Sequence, residues 1–257
     1  MERIKRVGIL NIYDIWFDTR LFEESNMPIV SLHTNDILDK KEFDFRLVNK
    51  TFLLDISDDN EKIFAKFDYK SARYAIKKAM RDGVIVKKIS EISEYEQYLK
   101  FQKSFCEQKG IPVLHYEELK GLNCYYAVSK ESEYLGACAF IESADKKTVR
   151  YKYGATLHKL NANEIILWKA IQDYHEAGFI YFDFGGCIPT EDKDTYYYRH
   201  FHFKKKFGGE LIDSYTYFKI RGFYRIFYYG FLLVIKVFFK SDVNSFSNWL
   251  NKRKILK

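Results

Sequence analysis

The sequence has only four cysteines in 257 residues and none of them forms a C-x-x-C pair. Cys106, Cys124, Cys138 and Cys187 also have no paired histidines at zinc-finger distances, so a disulfide framework and a zinc finger are both excluded. They read as buried or free thiols of a reducing compartment. Long apolar runs are missing too. In the apolar tail, FYRIFYYGFLLVIKVFFK, the longest uncharged stretch runs from Ile226 to Ile235, short of the roughly 20 residues that cross a bilayer. The start, MERIKRVGILNIYDIWFD, meets Asp14 and Asp18 early and has no continuous apolar segment with a small-residue cleavage site. A secretory leader is therefore not expected, and the expected location is the cytoplasm. There is no internal repeat, low-complexity linker or tandem copy of any unit.

What is present is globular in kind. Apolar residues make up 47% and charged residues 30%, which excludes a disordered chain. The length allows one large domain or two small ones. The formal net charge is +7, which favours an anionic partner without choosing among nucleic acid, pyrophosphate and an acidic membrane surface.

Three portions follow along the chain. Residues 1–66 hold apolar β-favouring runs, VGILNIYDIWF and FRLVNKTFLLDI, that are expected to pad or extend a main sheet. Residues 67–220 alternate helix and strand. A helix is expected over residues 71–82, with Ala72, Ala75, Ile76, Ala79 and Met80 on one face and Lys70, Arg73, Lys77, Lys78 and Arg81 on the other. Gly83 closes it. VIVKKI is the next strand, followed by a helix over residues 95–107 that Ser93 could cap. A short helical piece near Tyr116 leads to strands CYYAVS, YLGACAFIES and TVRYKYGA, a helix over residues 162–177, the strand FIYFDF, an aromatic helix and the strand ELIDSYTYF. On TVRYKYGA, Arg150, Lys152 and Gly154 alternate with Tyr151 and Tyr153, giving one basic and one aromatic face. Residues 221–257 form an amphipathic helical tail. In it Arg225, Tyr229, Lys236 and Lys240 share a narrow arc opposite a wide apolar face, as in an interfacial anchor or a core-packing helix.

The richest segment is FIYFDFGGCIPTEDKDTYYYRHFHFKKKFGGE. A buried strand runs into Gly185-Gly186, where a side chain would obstruct a sharp turn or a ligand, and FKKKFGG places three lysines before a second glycine pair. Asp183 points opposite to Phe182 and Phe184, and is either a general base or a carboxylate capping the glycine turn. His200 and His202 alone make a poor metal site. Arg199 is the better contact for a phosphate or carboxylate.

A strand ending in Asp-Phe-Gly-Gly, followed some twenty residues later by Phe-Lys-x-x-Phe-Gly-Gly, closely resembles the C-terminal signature of FemAB-like acyltransferases. That family belongs to the GNAT-fold superfamily and includes the enzymes that add amino acids to lipid-linked peptidoglycan precursors. Ser71 to Val84, SARYAIKKAMRDGV, resembles the same family's Arg-x-x-Ile-x-Lys-Ala-x-x-x-Gly-Val pattern. The resemblance implies an α/β (α+β) fold, with a GNAT-like mixed central sheet flanked by helices. It also implies transfer of an aminoacyl or related acyl group to an amine of a cell-envelope precursor. On it, Lys204 and Asp183 are the catalytic candidates, with Lys204 stabilising the oxyanion or holding a substrate carboxylate. Arg73, Lys77, Lys78, Tyr153, Gly185, Gly186, Arg199, Phe203 and Gly208 are the candidate substrate contacts.

The donor expectation rests on residues 157–164, LHKLNANE, which occupy the place where acetyl-CoA enzymes of the GNAT fold carry a glycine-rich loop. The stretch contains no glycine. Aminoacyl-tRNA is the expected donor and acyl-CoA the alternative, with an amino sugar of a surface polysaccharide as its acceptor. No tightly bound cofactor, metal or DNA is expected. The expected partners are a lipid- or nucleotide-linked precursor, tRNA and the inner membrane surface. A non-catalytic polyanion-binding module is the other alternative.

Overall fold

The computed structural model describes residues 2–7, 10–157 and 159–226. The N-terminal portion supplies strands β1 (Glu2–Val7) and β2 (Leu10–Trp16), helix α1 (Thr19–Glu24), and strands β3 (Ile29–Thr34) and β4 (Phe45–Asp55). Helix α2 (Asn60–Ala65) and a π-helical turn (Tyr69–Arg73) lead into α3 (Tyr74–Arg81) and β5 (Ile85–Lys88). Helices α4 (Ile92–Lys109) and α5 (Tyr116–Leu119) precede the meander β6 (Asn123–Val128), β7 (Tyr134–Glu142) and β8 (Thr148–Thr156). After the meander come α6 (Ala162–Glu176), β9 (Tyr181–Cys187), α7 (Tyr196–Lys205) and β10 (Glu210–Ile220).

All ten strands form one sheet, in the order β1-β2-β3-β10-β4-β9-β8-β7-β6-β5. Neighbours are antiparallel except β2 with β3 and β8 with β9. The N-terminal strands thus extend the main sheet, and β4 lies inside it between β10 and β9. Alternation along β6 sends Tyr125 and Ala127 to a core cluster under α3 and α6, and Cys124 and Tyr126 to a second cluster under α4. A third cluster joins Phe22 of α1 to Ile15, Leu32 and Tyr217. All four cysteines are buried and free.

Local chemistry explains the element boundaries and some departures from expectation. Asp68 accepts hydrogen bonds from the Ser71 N–H and hydroxyl, and the first expected helical turn is wound as a π turn before α3 begins. α3 buries Ala75, Ile76 and Ala79, whereas Met80 is 51% exposed. Met80 lies at the edge of the apolar arc, where a longer side chain reaches solvent. At the end of α3, Gly83 has φ of 75°; its N–H donates to the Met80 carbonyl and that of Val84 to the Ala79 carbonyl, a Schellman closure. Ser93 does not cap α4, which starts earlier: Glu94 accepts from the N–H groups of Ser90 and Glu91 and closes the helix N-terminus.

No helix among the described residues is long and apolar enough to cross a membrane. Residues 223–226 are helical, and the rest of the expected tail helix lies outside the described residues.

Candidate active site

β8 and β9 hydrogen-bond to each other only from Thr148 opposite Tyr181 to Arg150 opposite Asp183. Past that point each strand is held by its other neighbour, β8 by β7 and β9 by β4. Parallel strands that part in this way open a crevice at their C-terminal ends, the usual place for ligands in such sheets. A cleft of about 480 Å³ lies there. Tyr151, Tyr153, Gly185, Gly186 and Lys204 line one side, and Arg3, Asp14, Trp16 and His33 from the N-terminal strands line another.

Gly185-Gly186 does not end β9, which continues to Cys187. The pair bends the strand instead, with a register skip on β4 between Thr51 and Leu53. Gly185 has φ of 77°, and a Cβ there would stand 2.7 Å from the Tyr151 carbonyl oxygen, so both conformation and space require glycine. Asp183 fastens the bend. One carboxylate oxygen accepts from the Thr51 hydroxyl and the Gly185 N–H (2.7 Å); the other accepts from the Asn35 amide (3.0 Å) and Arg150 (3.3 Å). With no exposed surface, this carboxylate has the geometry of the turn cap, the second of the two roles open to it.

Lys204 reaches the same bend from α7. Its Nζ donates to the Gly185 carbonyl at 3.0 Å and the Gly186 carbonyl at 2.8 Å. Removal from water, and then the neighbouring Arg150 guanidinium, push this ammonium down to about 8 from an ordinary 10.5. It is still mostly a cation at neutral pH.

The expected alternation of basic and aromatic faces on β8 is broken. A register shift between Ala139 and Phe140 pairs them with Tyr153 and Tyr151, leaving Lys152 as the extra residue. Tyr151 consequently packs against the α3–α6 cluster, while Tyr153 packs against the α4 cluster. Lys152 swings over Trp16, with Nζ 3.2 Å from the ring centroid. Gly154 makes room for Tyr151, whose hydroxyl would lie 1.7 Å from a Cβ at that position.

The N-terminal wall went unread in the sequence. Asp14 accepts from Ser31 (2.7 Å), His33 Nε2 (2.7 Å), Trp16 Nε1 (3.1 Å) and Arg3 (3.3 Å). Burial works to raise the Asp14 carboxyl, but the His33 and Ser31 hydrogen bonds and the Lys152 charge outweigh it and hold it below the usual carboxylate range. Burial lowers His33, and Lys152 and Arg150 add to that against the opposing pull of Asp14. The neutral ring then donates Nε2–H to Asp14 and accepts at Nδ1 from the Thr216 hydroxyl (3.0 Å). Trp16 stacks on it at 4.0 Å between centroids. The one sequence signal for this wall is an aspartate inside the apolar run of β2.

Other expected contacts lie off the cleft lining. Arg73 rests 4.9 Å from the Tyr69 ring and Lys77 5.9 Å from the Phe64 ring, while Lys78 is exposed on the same helix. Arg199 is exposed. Phe203 packs on Phe207. At Gly208, φ is 76° and a Cβ would stand 2.0 Å from the Lys66 carbonyl oxygen, and one at Gly209 2.9 Å from that of Leu53; the second glycine pair thus fits the α7–β10 junction closely against the end of α2 and against β4. His200 lines the cleft, whereas His202 pairs with Glu191 at 3.2 Å. Lys206 pairs with Glu164 at 2.6 Å.

The glycine-free loop enters α6 through two left-handed residues, Leu160 (φ 50°) and Asn161 (φ 55°). No side chain caps this helix, and Glu164 puts an acidic residue in its first turn.

No protein-family model matches the chain, and no curated protein matches it. Among solved structures, FemX superposes with a TM-score of 0.62 at 13% identity, over 83% of each chain. L-PGS from Bacillus licheniformis gives 0.58 at 10% identity, over 88% of this chain and 82% of that one. The C-terminal domain of a putative lysylphosphatidylglycerol synthetase from Agrobacterium fabrum gives 0.54 at 10%, over 80% and 72%. At these identities the likeness is one of fold, and it agrees with the two glycine-pair motifs: the chain has a FemAB-like GNAT fold.

Proposed function

We propose that the protein is an N-acyltransferase that moves an aminoacyl or related acyl group to an amine of a cell-envelope glycan or peptidoglycan precursor. The observation that carries this reading is the Lys204 ammonium, held on the Gly185 and Gly186 carbonyls at the mouth of the cleft where β8 and β9 part. Attack of an amine on an ester carbonyl puts negative charge on the carbonyl oxygen. A fixed cation in a cleft partly shut off from water stabilises that charge more than mobile solvent does. Asp183 and Arg150 hold the bend that aims the lysine, and Tyr153 lines the path to it.

Aminoacyl-tRNA is the donor that the site favours over acyl-CoA. The α6 N-terminus, which would face a pyrophosphate, has no glycine for close backbone approach, and its first turn holds the Glu164–Lys206 pair. The surface also suits a polyanion: from Lys66 to Arg81 the chain carries six cations, including Arg73, Lys77 and Lys78, and one carboxylate, Asp68. FemX and the L-PGS structures as fold neighbours add weight to this choice. A lipid- or nucleotide-linked acceptor fits the apolar tail sequence, with contact at the inner face of the membrane. Incubation with a mixture of charged tRNAs and envelope precursors tests the donor. RNase treatment is expected to abolish transfer and acetyl-CoA to leave it unrestored; saturable micromolar binding of acetyl-CoA would overturn the tRNA reading.

A further inference from the structure

Aminolysis needs a group to take the proton of the acceptor amine, and the acidic groups of the cleft are already engaged. Asp14 and Asp183 each accept four hydrogen bonds, and both ring nitrogens of His33 are bonded. His200 differs. It sits one helical turn before Lys204 on α7, so the two side chains share a face, and both line the cleft. Its Nδ1 lies 3.2 Å from the Tyr196 carbonyl oxygen. A carbonyl only accepts, so Nδ1 carries the ring hydrogen and Nε2 keeps the lone pair. Among the described residues Nε2 has no hydrogen-bond partner, and the Tyr196 ring, 4.4 Å away, braces the imidazole.

We propose that His200 is the general base of the reaction, taking the acceptor amine's proton on Nε2; this rests on the N-acyltransferase reading above. The amine nitrogen bonds to the acyl carbon as the ester C–O bond breaks. The proton collected by Nε2 passes to the departing oxygen, so the products are an amide and an alcohol with no net change in protons. The charged and titratable groups that share the cleft with His200 are Lys204 on its own helix, Arg150, Tyr151, Lys152 and Tyr153 on β8, and Arg3, Asp14 and His33 from the N-terminal strands.

Two measurements on the full chain test this. In long-range nitrogen–proton correlation spectra of protein labelled at histidine nitrogen, assigned by comparison with His200→Gln, the His200 hydrogen is expected on Nδ1. In transfer from charged tRNA to envelope precursors, His200→Gln is expected to lower kcat/KM by about 10² to 10⁴ fold and to lose the decline that the wild type shows towards acid pH, with no change in melting temperature. A hydrogen on Nε2 would overturn the proposal, as would a variant that keeps the wild-type rate and the acid limb. Wild-type transfer with an unaffected variant removes the base role alone. A wild type that transfers nothing defeats the N-acyltransferase reading and the base role with it.

Discussion

Asp183 shows how far a residue's chemistry depends on what surrounds it. A carboxylate in mid-strand beside a glycine pair has the look of a base, yet its four donors and complete enclosure make it the pin of the Gly185 bend. Replacement by asparagine removes the charge that Arg150 faces and turns an N–H₂ towards donors. The expected cost is about 3 to 5 kcal/mol, as for breaking a buried ion pair, read from the midpoint of urea denaturation. Lys204 carries the opposite lesson. Its ammonium is costly in the folded state, so its value falls to about 8. The folded protein releases this proton as pH rises through about 8, whereas the unfolded chain keeps it until its ordinary value of 10.5. Stability from this group therefore rises with pH across that window, while activity that needs the cation falls. The wild-type rate is expected to decline above pH 8, and Lys204→Arg, which stays charged, is expected to retain its residual rate there. Pooled pH–rate profiles of the two proteins check this.

At the scale of elements, the start of α6 has two left-handed non-glycine residues in succession, Leu160 and Asn161, in a conformation that costs about 1 to 2 kcal/mol for an ordinary residue. Leu160 is 37% exposed, so little packing is lost on its removal. Leu160→Gly is expected to raise stability by about 0.5 to 1 kcal/mol after the entropic cost of glycine, measured by thermal denaturation; a lower melting temperature would show that the leucine side chain contributes more than its backbone costs. Strong periodicity made most elements legible in sequence: the meander β6–β8, α6 up to its closing Gly178, and β9 with Asp183 opposed to its phenylalanines. Boundaries set by a few side-chain hydrogen bonds, and a break in strand register, were not legible. Glu94 starts α4 before Ser93, Asp68 winds a π turn where a plain helix was expected, and the extra residue at Lys152 separates Tyr151 from Tyr153. Each depends on a contact that composition and period do not encode.

For the molecule as a whole, the sheet is what assembles the cleft. β4 threads between β9 and β10, and the strands beyond β10 carry Arg3, Asp14, Trp16 and His33 back against β8. Beyond that one aspartate the wall left no trace in the sequence, because Asp14 and Lys152 are far apart along the chain and no motif joins them, whereas Lys204 and the glycine pairs stood out through one short signature. The surroundings of the two neighbouring lysines decide which of them can serve as a control for Lys204. Lys206 pairs with Glu164, both largely buried, so its loss disturbs packing. Lys205 is exposed, and its contacts, a solvated pair with Glu191 at 3.8 Å and the Phe201 ring at 5.6 Å, are weak, so its loss chiefly changes net charge. The most direct measurement is turnover of charged tRNA and envelope precursor by the wild type, Lys204→Ala and Lys205→Ala, with melting temperatures alongside. If Lys204 stabilises the oxyanion, Lys204→Ala is expected to lose about 10² to 10³ fold in kcat with its melting temperature little changed, and Lys205→Ala to stay close to the wild type. Equal, small losses in both variants would contradict the account and leave the lysines as a surface that attracts an anionic substrate.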